Sequence, residues 1–283
     1  GLGNCVTPLK TFSPNEINIG GVWSRVTRYV FNLQNGWPRG GQEGTVMAMA
    51  ALGDPSKYFE DFIKMLTVDK LSAGFKPPNQ PPGARILGKD PKHPYLEKWF
   101  QIAESSDQER YNLAAALQAA TESLITSIIK YPIQSYGKKG VNVCLAGGVT
   151  LNSVAMGKIK SWFPHAIKDI YIPPVPYDAG LAIGAAQIVY YGILGKPRNV
   201  WADNFTPYLG ETWPKESIES AVSSALGLNT NKFRVEECDD EKAINFLLDQ
   251  KIVSIFSGKS ESGRRALGNR SILADPRSNS MKD

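Results

Sequence analysis

Lys259–Arg277, KSESGRRALGNRSILADPR, carries four arginines, a lysine, three serines and two glycines within nineteen residues. Guanidinium forks, hydroxyls and backbone N–H groups approached over glycine are the donors that bind an oxyanion such as phosphate or carboxylate. The segment follows a short apolar strand, Ile252–Phe256, and interleaves Ala266, Leu267, Ile272 and Leu273 with its charges. That mixture predicts a partly buried anion-binding loop instead of a plain solvated basic face, with arginines near apolar groups taking anionic partners.

Two further stretches have the composition of ligand loops. In AGGVTLN (146–152), Gly147 and Gly148 remove β-carbons where a strand gives way to a helix, so backbone amides and the helix dipole can approach an anion. Asn152 in the first turn is placed to meet a base or ribose, although a tight strand-to-helix turn without a ligand fits the same residues. In PYDAGLAIGAA (176–186), Asp178 stands before an otherwise apolar helix, as either its N-cap or a metal ligand. Gly180 and Gly184 allow close approach on one face of that helix. Both loops follow strands, so both are expected to open on one cleft.

Other chemistries find little support. The two histidines, His93 and His165, are far apart and cannot form a self-contained histidine-rich metal site. No nucleophile elbow or Cys–His arrangement is present. Cys5, Cys144 and Cys238 are odd in number and widely spaced, which predicts a reducing, cytoplasmic setting without disulfides.

The elements that must position these loops read as an alternation. Val22–Leu33, Thr45–Leu52, Pro55–Leu66 and Asp107–Ser135 have helical spacing. The last is the longest, with Ser106 or Asp107 as N-cap and Leu113, Leu117, Ala120, Leu124 and Ile128 as its buried stripe. Strand Val141–Ala146, helix Val149–Trp162, strand Asp169–Ile172 and an apolar helix Leu181–Leu194 follow. Residues 195–207 read as a linker; helices Pro214–Leu226 and Asp240–Gln250 precede strand Ile252–Phe256. Strand, loop and helix in turn argue an α/β fold with sites at the carboxyl ends of the strands.

The 283 residues are 42% hydrophobic and 21% charged with a net charge of +5, which suits one large domain or two. The basic residues are dispersed, which fits anionic small molecules and disfavours a nucleic-acid partner. The longest uncharged run, Ala179–Gly195, holds four glycines and is shorter than a membrane span, so a buried helix and no membrane association are expected.

AGGVTLN, PPVPYDAGLAIGAA, YLG (208–210) and GRRALGNRSILADPR, in this order, resemble the O-carbamoyltransferases of nodulation-factor and antibiotic biosynthesis, and EGTVMAMAALGDP (43–55) resembles an upstream family block. The resemblance implies an actin- or sugar-kinase-like ATPase domain, of the ribonuclease-H-like class, over residues 1–205. It implies the start of a threonylcarbamoyl-adenylate-synthase-like α/β domain over 206–283. The second domain would form carbamoyl-adenylate from carbamoyl phosphate and ATP with Mg2+. The first would pass the carbamoyl group, beside Fe2+ or another divalent metal, to a hydroxyl of a sugar-like or natural-product acceptor.

Carried over, Asp178 resembles the carboxylate metal ligand and a catalytic residue. Gly147, Gly148, Asn152 and Gly180 resemble nucleotide contacts. Lys259, Arg265, Asn269, Arg270 and Ser271 resemble the carbamoyl-phosphate and ATP site, with Arg265 and Arg270 catalytic. The family's HxxxH-type metal motif does not occur in this sequence, and its EFGPRALG string reads ESGRRALG here. The chain is therefore expected to be an internal fragment of a longer enzyme, with homodimerisation left open. A sugar-kinase-like phosphotransferase and a non-catalytic nucleotide-binding module are the rival readings.

Overall fold

The computed structural model describes residues 8–12, 17, 19–33, 42–66, 96–136, 140–197, 207–228, 238–263, 266–278 and 281. Residues 76–94, a Pro- and Gly-rich stretch that includes His93 and reads as a surface loop, lie outside them. Among the described residues the architecture is mixed α/β, with a helical body and two small sheets.

The body is built around α5, Asp107–Tyr136. Ser106 caps it, its Oγ accepting from the Glu109 amide at 3.2 Å. Leu113, Leu117, Ala120 and Leu124 are buried as the spacing predicts, and Ile128 packs partly against them. Ala114 and Ala116 are also fully buried, so the middle of the helix is enclosed on more than one side.

Helix α1 (Ile19–Tyr29) lays Val22, Trp23 and Val26 on this core, and the Trp23 indole donates to Thr121 Oγ1 at 2.8 Å. Helix α2 (Glu43–Met49) continues as a 3-10 turn to Leu52. There Gly53 meets α5 so closely that a β-carbon on it would lie 2.0 Å from the Tyr111 carbonyl oxygen. The Asp54 amide then donates to Asn112 Oδ1 at 2.9 Å. Gly53 of the EGTVMAMAALGDP block therefore allows the chain to lie against the central helix.

Helices α3 (Phe59–Leu66) and α4 (Glu97–Ser105) close the body through Phe62 and Trp99, whose ring centroids are 5.5 Å apart. Helix α4 is not among the elements that the sequence spacing predicts above. Leu96, Trp99 and Ala103 nonetheless repeat at helical spacing and are buried.

Strands β1 (Val141–Cys144) and β2 (Ile167–Tyr171) pair in parallel, with Val143 opposite Ile170 and Cys144 opposite Tyr171. The predicted helix from Val149 to Trp162 is broken in two. A 3-10 turn spans Gly148–Leu151, and α6 (Ser153–Trp162) starts only after Asn152 leaves helical geometry. Ala155 and Ile159 of α6 reach the core.

Beyond β2 the packing changes. The helix predicted from 181 to 194 forms, as α7 (Leu181–Gln187) followed by a π-helical turn to Ile193, but it is not buried. Leu181 is 73% and Ile193 72% exposed, so the expected burial is corrected: no described residue covers them. No helix among the described residues is long and apolar enough to cross a membrane. Helices α8 (Lys215–Leu228) and α9 (Asp240–Leu248) lead to an antiparallel pair, β3 (Val253–Phe256) and β4 (Arg270–Leu273). The arginine segment thus contains a strand of its own. Its apolar residues are not buried either: Ile272 is 75% exposed, and Leu267 and Leu273 face solvent.

Candidate functional site

Parallel pairing of β1 and β2 puts the loop after β1 beside the loop after β2. Gly147 continues from β1 at φ +105°, a conformation that disfavours any residue with a β-carbon. Its amide donates to the Pro176 carbonyl at 2.6 Å, joining the two loops directly. A β-carbon on Gly147 or Gly148 would meet nothing within 4 Å, so both glycines border open space at the start of the 3-10 turn.

Asn152 is committed to the fold. Its Oδ1 accepts from the Ala155 amide at 3.0 Å, capping α6. Its amide group also exchanges two hydrogen bonds with Gln118 of α5, at 2.8 and 3.1 Å. Lys158 of α6 grips Glu122 of α5 through both carboxylate oxygens, at 2.8 and 2.9 Å. The glycine turn is therefore mounted on the central helix.

The loop after β2 carries Asp178 on a short 3-10 turn, Asp178–Gly180. The N-cap alternative is not realised: neither this turn nor α7 has a side-chain cap bond. The Asp178 carboxylate is exposed and pairs with no described residue. Gly180 is required by packing, since its β-carbon would lie 2.1 Å from the Val175 carbonyl oxygen.

The arginine segment meets the same loop. Gly263, at φ +109°, approaches Pro174 so closely that a β-carbon there would sit 2.6 Å from the carbonyl oxygen. Pro174, Val175 and Pro176 thus present three successive carbonyls to Gly263, Gly180 and Gly147. These contacts bring together the glycine turn, the Asp178 loop and the start of the arginine segment.

Within that segment the nominated groups bind mainly to their own chain. Arg270 Nη1 donates to the Ser257 and Asn269 carbonyls at 2.7 and 2.8 Å. Its Nη2 reaches the Gly258 carbonyl at 3.3 Å and Ser260 Oγ at 3.1 Å. The guanidinium lies 3.4 Å from the centroid of the Phe256 ring, a cation–π contact. Asn269 Nδ2 donates to the Lys259 carbonyl at 2.9 Å, while the Lys259 side chain is exposed. Ser271 Oγ accepts from the Gly268 amide at 3.2 Å. Arg264 and Arg265 lie outside the described residues.

The carboxylate expected beside an arginine is present for Arg277, which pairs with the buried Asp275. The side-chain bond from Arg277, then its backbone amide, hold the Asp275 carboxyl below the usual aspartate range.

Two features carry no clear signal in the sequence. Glu261 was not singled out, although its Oε1 accepts from the amides of Leu267, Asn269 and Arg270. YLG was recognised only as part of a resemblance. Tyr208 donates to the Leu267 carbonyl at 2.8 Å and the Gly210 amide to the Ser260 carbonyl at 3.0 Å. A β-carbon on Gly210 would stand 2.4 Å from that of Ser260. YLG is therefore the buckle that fastens the arginine segment.

A divalent metal was implied beside Asp178. Among the described residues, no group of three or more His, Cys, Asp or Glu side chains converges, and Asp178 stands as a single carboxylate. These residues do not by themselves make up a metal-binding set.

The sequence has counterparts among known proteins. Residues 6–187 match the family model of the carbamoyltransferase N-terminus, and residues 244–283 match that of the carbamoyltransferase C-terminus. The chain belongs to the carbamoyltransferase family. It is 28% identical to the nodulation protein NolNO of Sinorhizobium fredii over 100% of the chain and 38% of that protein. It is 31% identical to the nodulation protein NolO of Bradyrhizobium diazoefficiens over 85% of the chain and 41% of that protein. The nodulation protein U of Azorhizobium caulinodans is 27% identical over 61% of the chain and 28% of its own length. The chain thus spans about two fifths of the length of the first two relatives. Within this carbamoyltransferase chain, the glycine turn and the Asp178 loop fall in the N-terminal match, and the arginine segment falls in the C-terminal one.

Proposed function

We propose that the polypeptide to which this chain belongs is an ATP-dependent O-carbamoyltransferase. Water first cleaves carbamoyl phosphate to carbamate and inorganic phosphate; a carbamate oxygen then attacks the α-phosphorus of ATP, and carbamoyl-adenylate forms as the bond to pyrophosphate breaks and pyrophosphate leaves. A hydroxyl of a sugar-like or natural-product acceptor then attacks the carbamoyl carbon. The new C–O bond forms as the bond to the adenylate oxygen breaks, AMP leaves, and the hydroxyl gives up its proton.

The observation that carries this reading is the junction at Pro174–Pro176. It joins the glycine turn, the loop of Asp178 and the arginine segment, which come from the two family matches. An intermediate made at one loop set and used at the other needs such proximity. In this reading, Gly147 and Gly148 offer amides and open space to the nucleotide. Arg265, Arg270, Asn269 and Ser271, with Lys259, are assigned in this reading to the anionic end of the carbamoyl donor. Fixed cationic and N–H donors stabilise both the departing phosphate and the oxyanion of the transfer step. Asp178 faces solvent beside the nucleotide turn, where its carboxylate can meet a ligand or an ion.

The finer fold assignment is part of the proposal: a kinase-like ATPase portion over 1–205 and the opening of an adenylate-forming domain over 206–283. The test is incubation of the full-length polypeptide with carbamoyl phosphate, ATP, Mg2+ and a panel of hydroxylated acceptors. Carbamoyl-AMP and carbamoylated acceptor are expected. Phosphate on the acceptor instead would make it a phosphotransferase. Nucleotide binding without any product would make it a non-catalytic module.

A further inference from the structure

One carboxylate organises the arginine segment from inside. Glu261 Oε1 accepts from the amides of Leu267, Asn269 and Arg270, at 2.7, 2.8 and 3.3 Å. Between them, Gly268 adopts φ +114° and turns its own amide to Ser271 Oγ. Successive amides converging on one point across a left-handed glycine form a concave anion nest of the kind that takes phosphate oxygens elsewhere. Here the anion is a side chain of the same loop.

The same residues that donate to Glu261 hold the start of the segment with their side chains. Asn269 reaches the Lys259 carbonyl, and Arg270 reaches the Ser257 and Gly258 carbonyls and Ser260 Oγ. Glu261 therefore fixes the backbone from which both side chains project, and its charge is balanced by Arg270 nearby. Partial burial pushes its carboxyl upward. The three amides and the Arg270 charge outweigh that and hold it below the ordinary glutamate range, so it is ionised at neutral pH.

We propose that Glu261 is the positioning residue of the arginine loop: by occupying the nest of residues 267–270, it sets Asn269, Arg270 and Ser271 in register for an anionic phosphate ligand. This rests on the reading of the loop as a carbamoyl-phosphate site, and the pinning of the backbone can be tested separately from it. The alternative use of an occupied nest is competition, in which the carboxylate blocks the place where the ligand phosphate belongs. The two uses predict opposite signs for one substitution.

The experiment compares the full-length protein with its E261A and E261Q variants in two measurements. The first is amide hydrogen exchange over residues 262–271, which needs no substrate. E261A is expected to raise exchange there about tenfold or more, because charge-assisted bonds to backbone amides are lost. E261Q keeps an acceptor oxygen and is expected to restore most of the protection. Unchanged exchange in E261A overturns the proposal whatever the loop binds.

The second measurement is the steady-state dependence on carbamoyl phosphate. Positioning predicts that E261A raises KM for carbamoyl phosphate about tenfold, with E261Q within about threefold of the wild type and KM for the hydroxylated acceptor unmoved. Tighter carbamoyl-phosphate binding in E261A overturns positioning in favour of competition. If exchange responds as expected while the wild type shows no dependence on carbamoyl phosphate, the pinning stands, and both the ligand reading and the proposed register for phosphate fall.

Discussion

The Pro174 carbonyl occupies the space that a side chain on Gly263 would need: a β-carbon built there lies 2.6 Å from the oxygen. These residues are 89 positions apart in sequence (263 − 174), and they belong to the Asp178 loop and the arginine segment, respectively. The contact requires glycine twice over, since Gly263 also has φ +109°.

Gly263→Ala is therefore expected to detach the two loops. The strained backbone and the clash together cost about 1–3 kcal/mol locally. Amide exchange at Gly147, whose N–H donates to the Pro176 carbonyl, should rise, while the urea midpoint, set by the core around α5, stays within error. Unchanged protection at Gly147 would show that the loops are held by other contacts.

Asn152→Ala should destabilise the helical body. It removes the α6 cap, worth about 1 kcal/mol, and leaves the buried Gln118 Oε1 without its donor while Gln118 Nε2 keeps Glu122, which adds about 1–3 kcal/mol. Asn152→Asp retains the capping oxygen but loses the donor to Gln118, so its loss should be intermediate. Denaturant unfolding of the three proteins orders them.

Asp178→Ala should leave stability within about 0.5 kcal/mol, because the exposed carboxylate pairs with no described residue. Carbamoyl-AMP formation should persist while transfer to the acceptor falls. Separate assays of adenylate and product check this, and equal loss in both would remove Asp178 from the transfer step.

Glu109 gives a pH dependence. The bond from Lys57, then that from the Tyr58 hydroxyl at 2.6 Å, hold its carboxyl below the usual glutamate range in the folded protein. A lowered folded pKa means that the carboxylate's contribution is fully present above the unfolded value of about 4.3 and is lost as pH falls through the folded value. The urea midpoint should therefore decline less between about pH 5 and 3 in Glu109→Gln than in the wild type. Parallel declines would show that Glu109 does not contribute.

Much of the fold was legible because burial leaves a periodic record. Leu113, Leu117, Ala120 and Leu124 marked the central helix, and the Ser106 cap marked its start. The paired glycines at 147–148 and the aspartate before α7 marked two loops that the parallel strands then placed side by side. Helix α4 was legible in principle through Leu96, Trp99 and Ala103, but went unread beside a Pro- and Gly-rich stretch.

By itself the sequence determined the mixed α/β class, the central helix, the glycine turns and the anion-binding composition of residues 259–277. These depend on local propensity and spacing, which each residue carries with it. The tertiary structure alone decided which donor meets which acceptor. Arg270 was read as a ligand arginine, yet four acceptors on its own loop take its guanidinium. Asn152 was read as a nucleotide contact, yet α6 and Gln118 take both ends of its amide. Glu261 went unnoticed because a carboxylate among arginines reads as charge balance until the backbone amides close around it. Hydrogen bonds are directional and short, so their partners are fixed only when the chain closes. Burial is likewise settled by what comes to lie on a surface: the apolar run of α7 records a tendency to leave water, and does not name the surface that would cover it.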